Sequence, residues 1–335
     1  MSVAETTTDE STRTRIAMIK NFGRIASWHT IAPPIVFFAM LIVVSIFNPN
    51  YLGPLGISIA TASAAPILLI ALGQSMVLNV GSIDLSNAAI SLFGAILFAL
   101  AVPDFGVVSI VFVLVFLTLL GAVNGAILAY AQIPSFALTL GTLGILKTAI
   151  LVISGSETIY VTNNRELITL LYSTKWGGVP LTFWLGIAIA LIFWAVLRLT
   201  MTGQDMTGTG KNERGAILTG VPVKRVKIMA FALSGFAGGL AGYCIVAQAG
   251  SASASGLGSN LLLPGIAAAL VGGTSISGGV TNPINVIFGA LTVAFVPIAI
   301  QAIGFGAQAQ SLVYGFFIVL VVALSTIGSK TLIVK

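Results

Sequence analysis

Charge is what this sequence has least of. Asp, Glu, Lys and Arg make up 7% of its 335 residues, where a water-soluble domain carries roughly a quarter because its surface needs them. A soluble globular fold is excluded on that ground. Histidine and cysteine are scarcer still, with one each, His29 and Cys244. A lone histidine and a lone cysteine cannot make a disulfide, a bis-histidine haem site or a Cys/His zinc site. With His29 at the edge of a polar N-terminal stretch, no evident acid/base pair is left for an intramembrane enzyme either. What is present in excess is apolar: 57% of the residues are hydrophobic and the mean hydropathy is +1.07. A helix needs about 20 apolar residues to cross a bilayer core, so ten such helices would use roughly 200.

Residues 1–30 are polar, with Arg13, Arg15, Lys20 and Arg24 set against Glu5, Asp9 and Glu10. Having no apolar run or small-residue cleavage site, they read as a retained tail with a short surface helix near 13–27 rather than a signal peptide. Ten apolar segments follow, at about 31–47, 57–79, 86–102, 107–130, 135–153, 181–200, 228–249, 261–277, 284–303 and 309–327. The pattern predicts an all-α polytopic membrane protein, its transmembrane domain covering 31–327 and a C-terminal tail 328–335. With the N-terminus in the cytoplasm, Arg13, Arg15, Lys20, Arg24, Arg198, Lys211, Arg214, Lys224, Arg225, Lys227, Lys330 and Lys335 fall inside. Arg165 and Lys175 fall outside, and Lys147 lies within the fifth span. Twelve of fifteen basic residues on one side satisfies the positive-inside rule and implies both termini in the cytoplasm. The net charge of +6 thus reads as topology and not as a nucleic-acid footprint.

Two loops are long: an outer one near 154–180 and an inner, charged one near 201–227. A short helix is written into the inner loop. Asn212 can cap the free N–H groups, Glu213 complements the positive end of the dipole, Gly220 can take the left-handed terminating conformation and Pro222 forbids continuation, which predicts two turns over 213–219. Ala216, Ile217 and Leu218 give this helix an apolar side. Either it docks on a partner or it lies on the lipid surface, held by Lys224, Arg225 and Lys227; spacing alone leaves both open. Gly210-Lys211 is not a phosphate-binding loop, because that motif needs Gly at 205 and Ser or Thr at 212, where Asp205 and Asn212 stand. No cofactor is expected on this chain.

The second apolar segment breaks at Val80-Gly81-Ser82-Ile83-Asp84-Leu85-Ser86, and the eighth at Val271 to Gly279; each break is followed by a similar run, Phe93-Gly94-Ala95-Ile96-Leu97 and Phe288-Gly289-Ala290-Leu291-Thr292. Paired interruptions point to a solute path between structural repeats; chance similarity among apolar segments is the other reading. An ionised Asp84 facing lipid would cost several kcal/mol, so it either caps the third span together with Ser86 or meets solute at the break. Lys147 can snorkel to the outer surface or pair with Asp84. Gln74, Asn79, Gly81, Asn124, Thr139 and Thr142 complete the candidates for a polar path, although hydroxyls and amides in spans also serve as helix-to-helix hydrogen bonds. Gly121, Gly125, Gly235, Gly238, Gly239 and Gly242 read as close-packing positions.

Several of these stretches together resemble a known family. Gly73-Gln74, Gly81 to Ser86, Val123-Asn124-Gly125, Pro134 to Thr142, and the inner loop from Gly210-Lys211-Asn212-Glu213 through Gly220-Val221-Pro222-Val223 to Ala232-Leu233-Ser234-Gly235 are similar, in order, to the permease subunits of ribose- and xylose-type ABC importers. The chain departs from the family's pattern at Ser82, usually glycine, at Lys147, often arginine, and over 204–209. The resemblance implies ten helices in the fold of the vitamin B12 importer class. It implies a second permease chain, two cytoplasmic ATPase subunits that bind ATP and Mg, and an extracytoplasmic binding protein that delivers sugar. It also implies that residues 212–221 form the ATPase-coupling helix, with Asn212, Glu213, Arg214, Ala216, Ile217, Leu218, Gly220 and Val221 as its contacts. The place is then a bacterial inner membrane. Branched-chain amino-acid and nucleoside permeases are distant relatives on the same plan, and an ion-coupled carrier is the competing class.

Overall fold

A computed structural model describes residues 28–47, 49–302, 304–306 and 308–327. The tail helix expected near 13–27 lies outside the described residues. Helix α1 (Trp28–Phe47) leads through a 3-10 turn, Pro49–Leu52, into α2 (Pro54–Asn79), which starts on a proline whose missing N–H would be unpaired there anyway.

Helix α3 (Asn87–Ala131) is 45 residues long, about 68 Å if straight, twice the depth of a bilayer core. It is not straight. Gly106 takes φ 56°, ψ −137°, and the two arms fold back on each other: the Phe93 and Phe116 rings lie 6.4 Å apart and Asn124 reaches Ser86 at 3.1 Å. Asn164 closes the tip by donating to the carbonyls of Val102 and Pro103, both at 3.2 Å, beside the break. The third and fourth expected spans are therefore the arms of one hairpin.

Helix α4 (Ser135–Ser154) follows, then a long connection with β1 (Ile159–Tyr160), α5 (Arg165–Ser173), β2 (Lys175–Trp176) and β3 (Val179–Pro180). Strands β2 and β3 form a hairpin across Gly177-Gly178, both with positive φ, as a two-residue turn of this kind requires. Next come α6 (Leu181–Leu199), α7 (Met201–Lys211), α8 (Glu213–Leu218), α9 (Val223–Ala249), β4 (Ser251–Ala252), which pairs antiparallel with β1, α10 (Leu262–Val271), α11 (Pro283–Ala302) and α12 (Ala309–Ile327).

Six described helices, α2, α3, α4, α6, α9 and α11, are long and apolar enough to cross a membrane; the chain is a polytopic helical membrane protein. The eighth expected span, 261–277, is helical only over Leu262–Val271, about 15 Å of rise and half a bilayer core. Gly273, at φ 83°, ends it.

Two buried helices, α2 and α9, make the centre. In lipid there is no hydrophobic drive between helices, so close packing must hold them, and glycines supply it. A Cβ on Gly125 would stand 2.8 Å from Ile228 Cα, and one on Gly121 would meet the Phe231 carbonyl and, at 3.0 Å, Gly235 Cα. Thus α9 lies in the groove of the α3 hairpin, as the small-residue positions lead one to expect. Outside, Val108, Phe112 and Leu119 on α3 and Ile145 and Val152 on α4 stay exposed, as lipid-facing or partner-facing surface would.

The two ends of this bundle differ. One collects the break 80–86, the turn 132–134, α7, α8 and the break 272–282, and with them Arg198, Lys211, Arg214, Lys224, Arg225 and Lys227. The other collects the hairpin tip, α5 and the short strands, with Arg165 and Lys175.

Candidate functional site

The first break is built around Asp84, which is 1% exposed. Its Oδ1 accepts from the Ser86 amide at 2.9 Å and the Ser86 hydroxyl at 2.6 Å, and its Oδ2 from the Ser234 hydroxyl at 2.8 Å. Asp84 thus holds Ser86, the residue that opens α3, and at the same time ties it to α9, although no side chain caps the first amides of α3 itself. The network extends in two directions. Asn87 donates to the Ser234 hydroxyl and, at 3.0 Å, to its carbonyl. Ser86 Oγ accepts from Asn124 at 3.1 Å, and Asn124 Oδ1 accepts from Thr142 at 2.9 Å. Thr139 Oγ1 accepts from the Leu85 amide at 3.1 Å while donating to Ser135 O at 2.8 Å, and Ser135 Oγ accepts from the Ile83 amide at 3.0 Å. Five segments, α3's two arms, α4, α9 and the break, therefore share one buried polar cluster. A dehydrated network of this kind is costly if any member is removed.

The two breaks have the same geometry. At the end of α2, Gly81 (φ 74°) donates to Leu78 O at 2.8 Å and Ser82 to Val77 O at 3.1 Å; at the end of α10, Gly273 donates to Leu270 O at 2.9 Å and Thr274 to Ala269 O at 3.1 Å. Both are helix ends closed by a left-handed glycine. They also meet: the Gly279 amide donates to Asn79 O at 2.9 Å, and a Cβ on Gly278 would stand 3.0 Å from both Gly81 Cα and Gly210 Cα. Asn79 reaches further, its Nδ2 donating to Thr207 Oγ1 of α7 at 3.3 Å. Both interrupted helices are thus locked to the segment that precedes α8.

Helix α8 forms where the sequence places it. Asn212 Oδ1 accepts from the Gly215 amide at 3.0 Å, and Gly220 (φ 84°) and Val221 close the far end on Ile217 O and Ala216 O, both at 3.0 Å. Ala216 is buried, whereas Ile217 and Leu218 are 57% and 88% exposed. Glu213 Oε1 holds Lys227 Nζ at 2.6 Å, pinning α8 to the first turns of α9. Arg214 is exposed and unpaired among the described residues.

Of the path candidates, Asp84, Ser86, Asn124, Thr139 and Thr142 come together, and Asn79 and Gly81 lie beside them. Gln74 is 1% exposed in α2 and its Nε2 has no partner among the described residues. Lys147 stands apart: it is exposed on α4 next to Gly144, where a Cβ would meet nothing within 4 Å, and it forms no pair with Asp84. Sequence reasoning missed the roles of Ser234, Asn87, Ser135 and Thr207. Ser234 lies 150 positions from Asp84, and a serine among the small residues of α9 looks like packing. Among the described residues no cluster of three or more His, Cys, Asp or Glu could hold a metal.

A multi-pass bundle with a capped, exposed helix at its basic end has the form of a transport permease. The chain belongs to the family described as branched-chain amino acid transport system / permease component, whose model matches residues 56–322. It is 29% identical over 305 residues to the ribose import permease protein of Haemophilus influenzae, covering 89% of this chain and 94% of that one. It is 29% identical to the L-arabinose transport system permease protein of Escherichia coli (89% and 90% covered). To the D-allose transport system permease protein of the same organism it is 30% identical (88% and 91%). No solved structure matches the chain.

Proposed function

We propose that this chain is the membrane-spanning permease subunit of a bacterial ABC importer for a monosaccharide or polyol, a pentose such as ribose or xylose being the leading candidate. The observation that carries this reading is the near full-length similarity to permeases named for ribose, L-arabinose and D-allose. Those names favour a sugar over a branched-chain amino acid or a nucleoside. In this reading the basic end of the bundle faces the cytoplasm, both termini lie there, and ten helices of the vitamin B12 importer type cross the inner membrane. The exposed Leu218 and Ile217 of α8 seat in a separate ATPase, which binds ATP and Mg; this chain binds neither and is a transport subunit, not an enzyme. Asn212, Glu213, Gly220 and Val221 shape that helix, and Arg214 adds a surface cation.

Two copies of the chain enclose the path, and an extracytoplasmic binding protein delivers solute to its outer mouth. The exposed face of α4 with Lys147 lines the path, and Gln74, Asn79, Gly81, Asp84, Ser86, Asn124, Thr139 and Thr142 form the polar cluster and the breaks that move with it. The test is uptake of labelled pentoses, hexoses, polyols and leucine by cells with and without the chain. Chain-dependent uptake of a sugar or polyol supports the reading; chain-dependent uptake of leucine alone overturns it.

A further inference from the structure

The groove beneath α8 gathers three cations, Lys224, Arg225 and Lys227, against one carboxylate, Glu213. It encloses about 750 Å³ between the first break, the turn 132–134, α8 and the start of α9. Lys224, Arg225 and Lys227 all fall within the first five residues of α9, where the helix dipole repels cations. That first turn holds no acidic residue, and Pro222 offers its free amides no side-chain cap. Glu213 answers Lys227. Lys224 leans over the Tyr130 ring at 4.6 Å from its centroid, and Arg225 is exposed with no partner among the described residues. Across the groove stands Ser82, 5% exposed and lining the cavity, whose hydroxyl forms no hydrogen bond among the described residues. Cations, free amides and an unused hydroxyl around one cavity suit a phosphate.

The open side of the groove says which phosphate. Tyr130, Ile133 and Phe136 are exposed there and continue into the exposed apolar faces of α3 and α4, along which acyl chains can run. Basic pockets between helices on the cytoplasmic side are the usual seat of anionic headgroups. We propose that this groove binds the phosphate of an anionic phospholipid at the foot of α8. The choice of the inner leaflet rests on the orientation proposed above; the binding itself does not.

Native mass spectrometry of the purified full chain, titrated with dioleoyl phosphatidylglycerol, dioleoyl phosphatidylcholine or inorganic phosphate, tests this without ATP or uptake, so its failure leaves the import reading untouched. We expect one tightly held phosphatidylglycerol per chain and weaker phosphatidylcholine. The pair Lys224→Gln/Arg225→Gln should weaken phosphatidylglycerol roughly thirtyfold, about fivefold per cation lost. The charge-matched pair Arg198→Gln/Lys211→Gln should leave it unchanged. Arg225→Gln alone, at an exposed side chain, should give about fivefold and serves if the double variant does not fold. Equal losses in both pairs, no preference over phosphatidylcholine, or displacement by equimolar inorganic phosphate would each overturn the proposal.

Discussion

Asp84 shows how much one carboxylate can hold together. Replacing it with Ala strips acceptors from the Ser86 amide, the Ser86 hydroxyl and the Ser234 hydroxyl, at about 1–3 kcal/mol for each buried donor left unpaired. Asp84→Ala should therefore lower detergent-solubilised stability by about 3 kcal/mol, read by thermal unfolding, whereas Asp84→Asn keeps an acceptor and should recover most of the loss; an unchanged midpoint for the alanine variant would remove Asp84 from the structural account. Glycine positions separate in the same way. Gly121→Ala drives a methyl into the α9 backbone and should cost about 1–3 kcal/mol by overpacking, while Gly144→Ala, which meets nothing within 4 Å in the protomer, should be neutral in the single chain. The existence of a polar break at 80–86 was legible in the sequence because Gly81, Asp84 and Ser86 interrupt an apolar run. Its partners were not, since Ser234 and Asn124 come to Asp84 only through tertiary packing.

Among the elements, α8 was the most legible. Its cap, first-turn acid, terminating glycine and following proline are all local signals, and the helix runs from Glu213 to Leu218 as they dictate. A residue 88% exposed can be changed without harm to the protomer, so Leu218→Asp should leave the permease folded, judged by its gel-filtration profile, while abolishing co-purification of the ATPase; an unchanged pull-down yield would speak against a coupling role. Asn212→Ala removes the Gly215 contact and should cost about 1 kcal/mol. The α3 hairpin was legible as two spans because Pro103, Asp104 and Gly106 divide the apolar run. Helix α10 was not: the stretch 261–277 is apolar enough to span, but Gly272, Gly273, Gly278 and Gly279 let it turn back after ten helical residues and lie against Asn79 and Gly210. Composition reports apolarity, and backbone freedom at glycine decided the length.

For the molecule as a whole, the proposed orientation rests on the scarce cations. Eight of the nine described cations sort to two ends, six with α7, α8 and the breaks and two with α5 and the short strands, while Lys147 lies apart on α4, which is the division read from the sequence. An impermeant thiol reagent applied to intact cells should label Lys175→Cys and spare Lys211→Cys until the membrane is opened, against a background of one buried cysteine, Cys244; the reverse pattern would invert the topology. The family was legible because its motifs lie in the breaks and the inner loop. The solute was not, because the hydrogen bonds that select one hydroxylated solute over another depend on geometry that local sequence pattern does not carry. The most direct test of the whole account is uptake into proteoliposomes that contain this chain together with the ATPase and binding protein proposed for it. Sugar accumulation should require ATP and the ATPase and survive a protonophore; uptake that persists without ATP and collapses with the protonophore would contradict an ATP-driven importer.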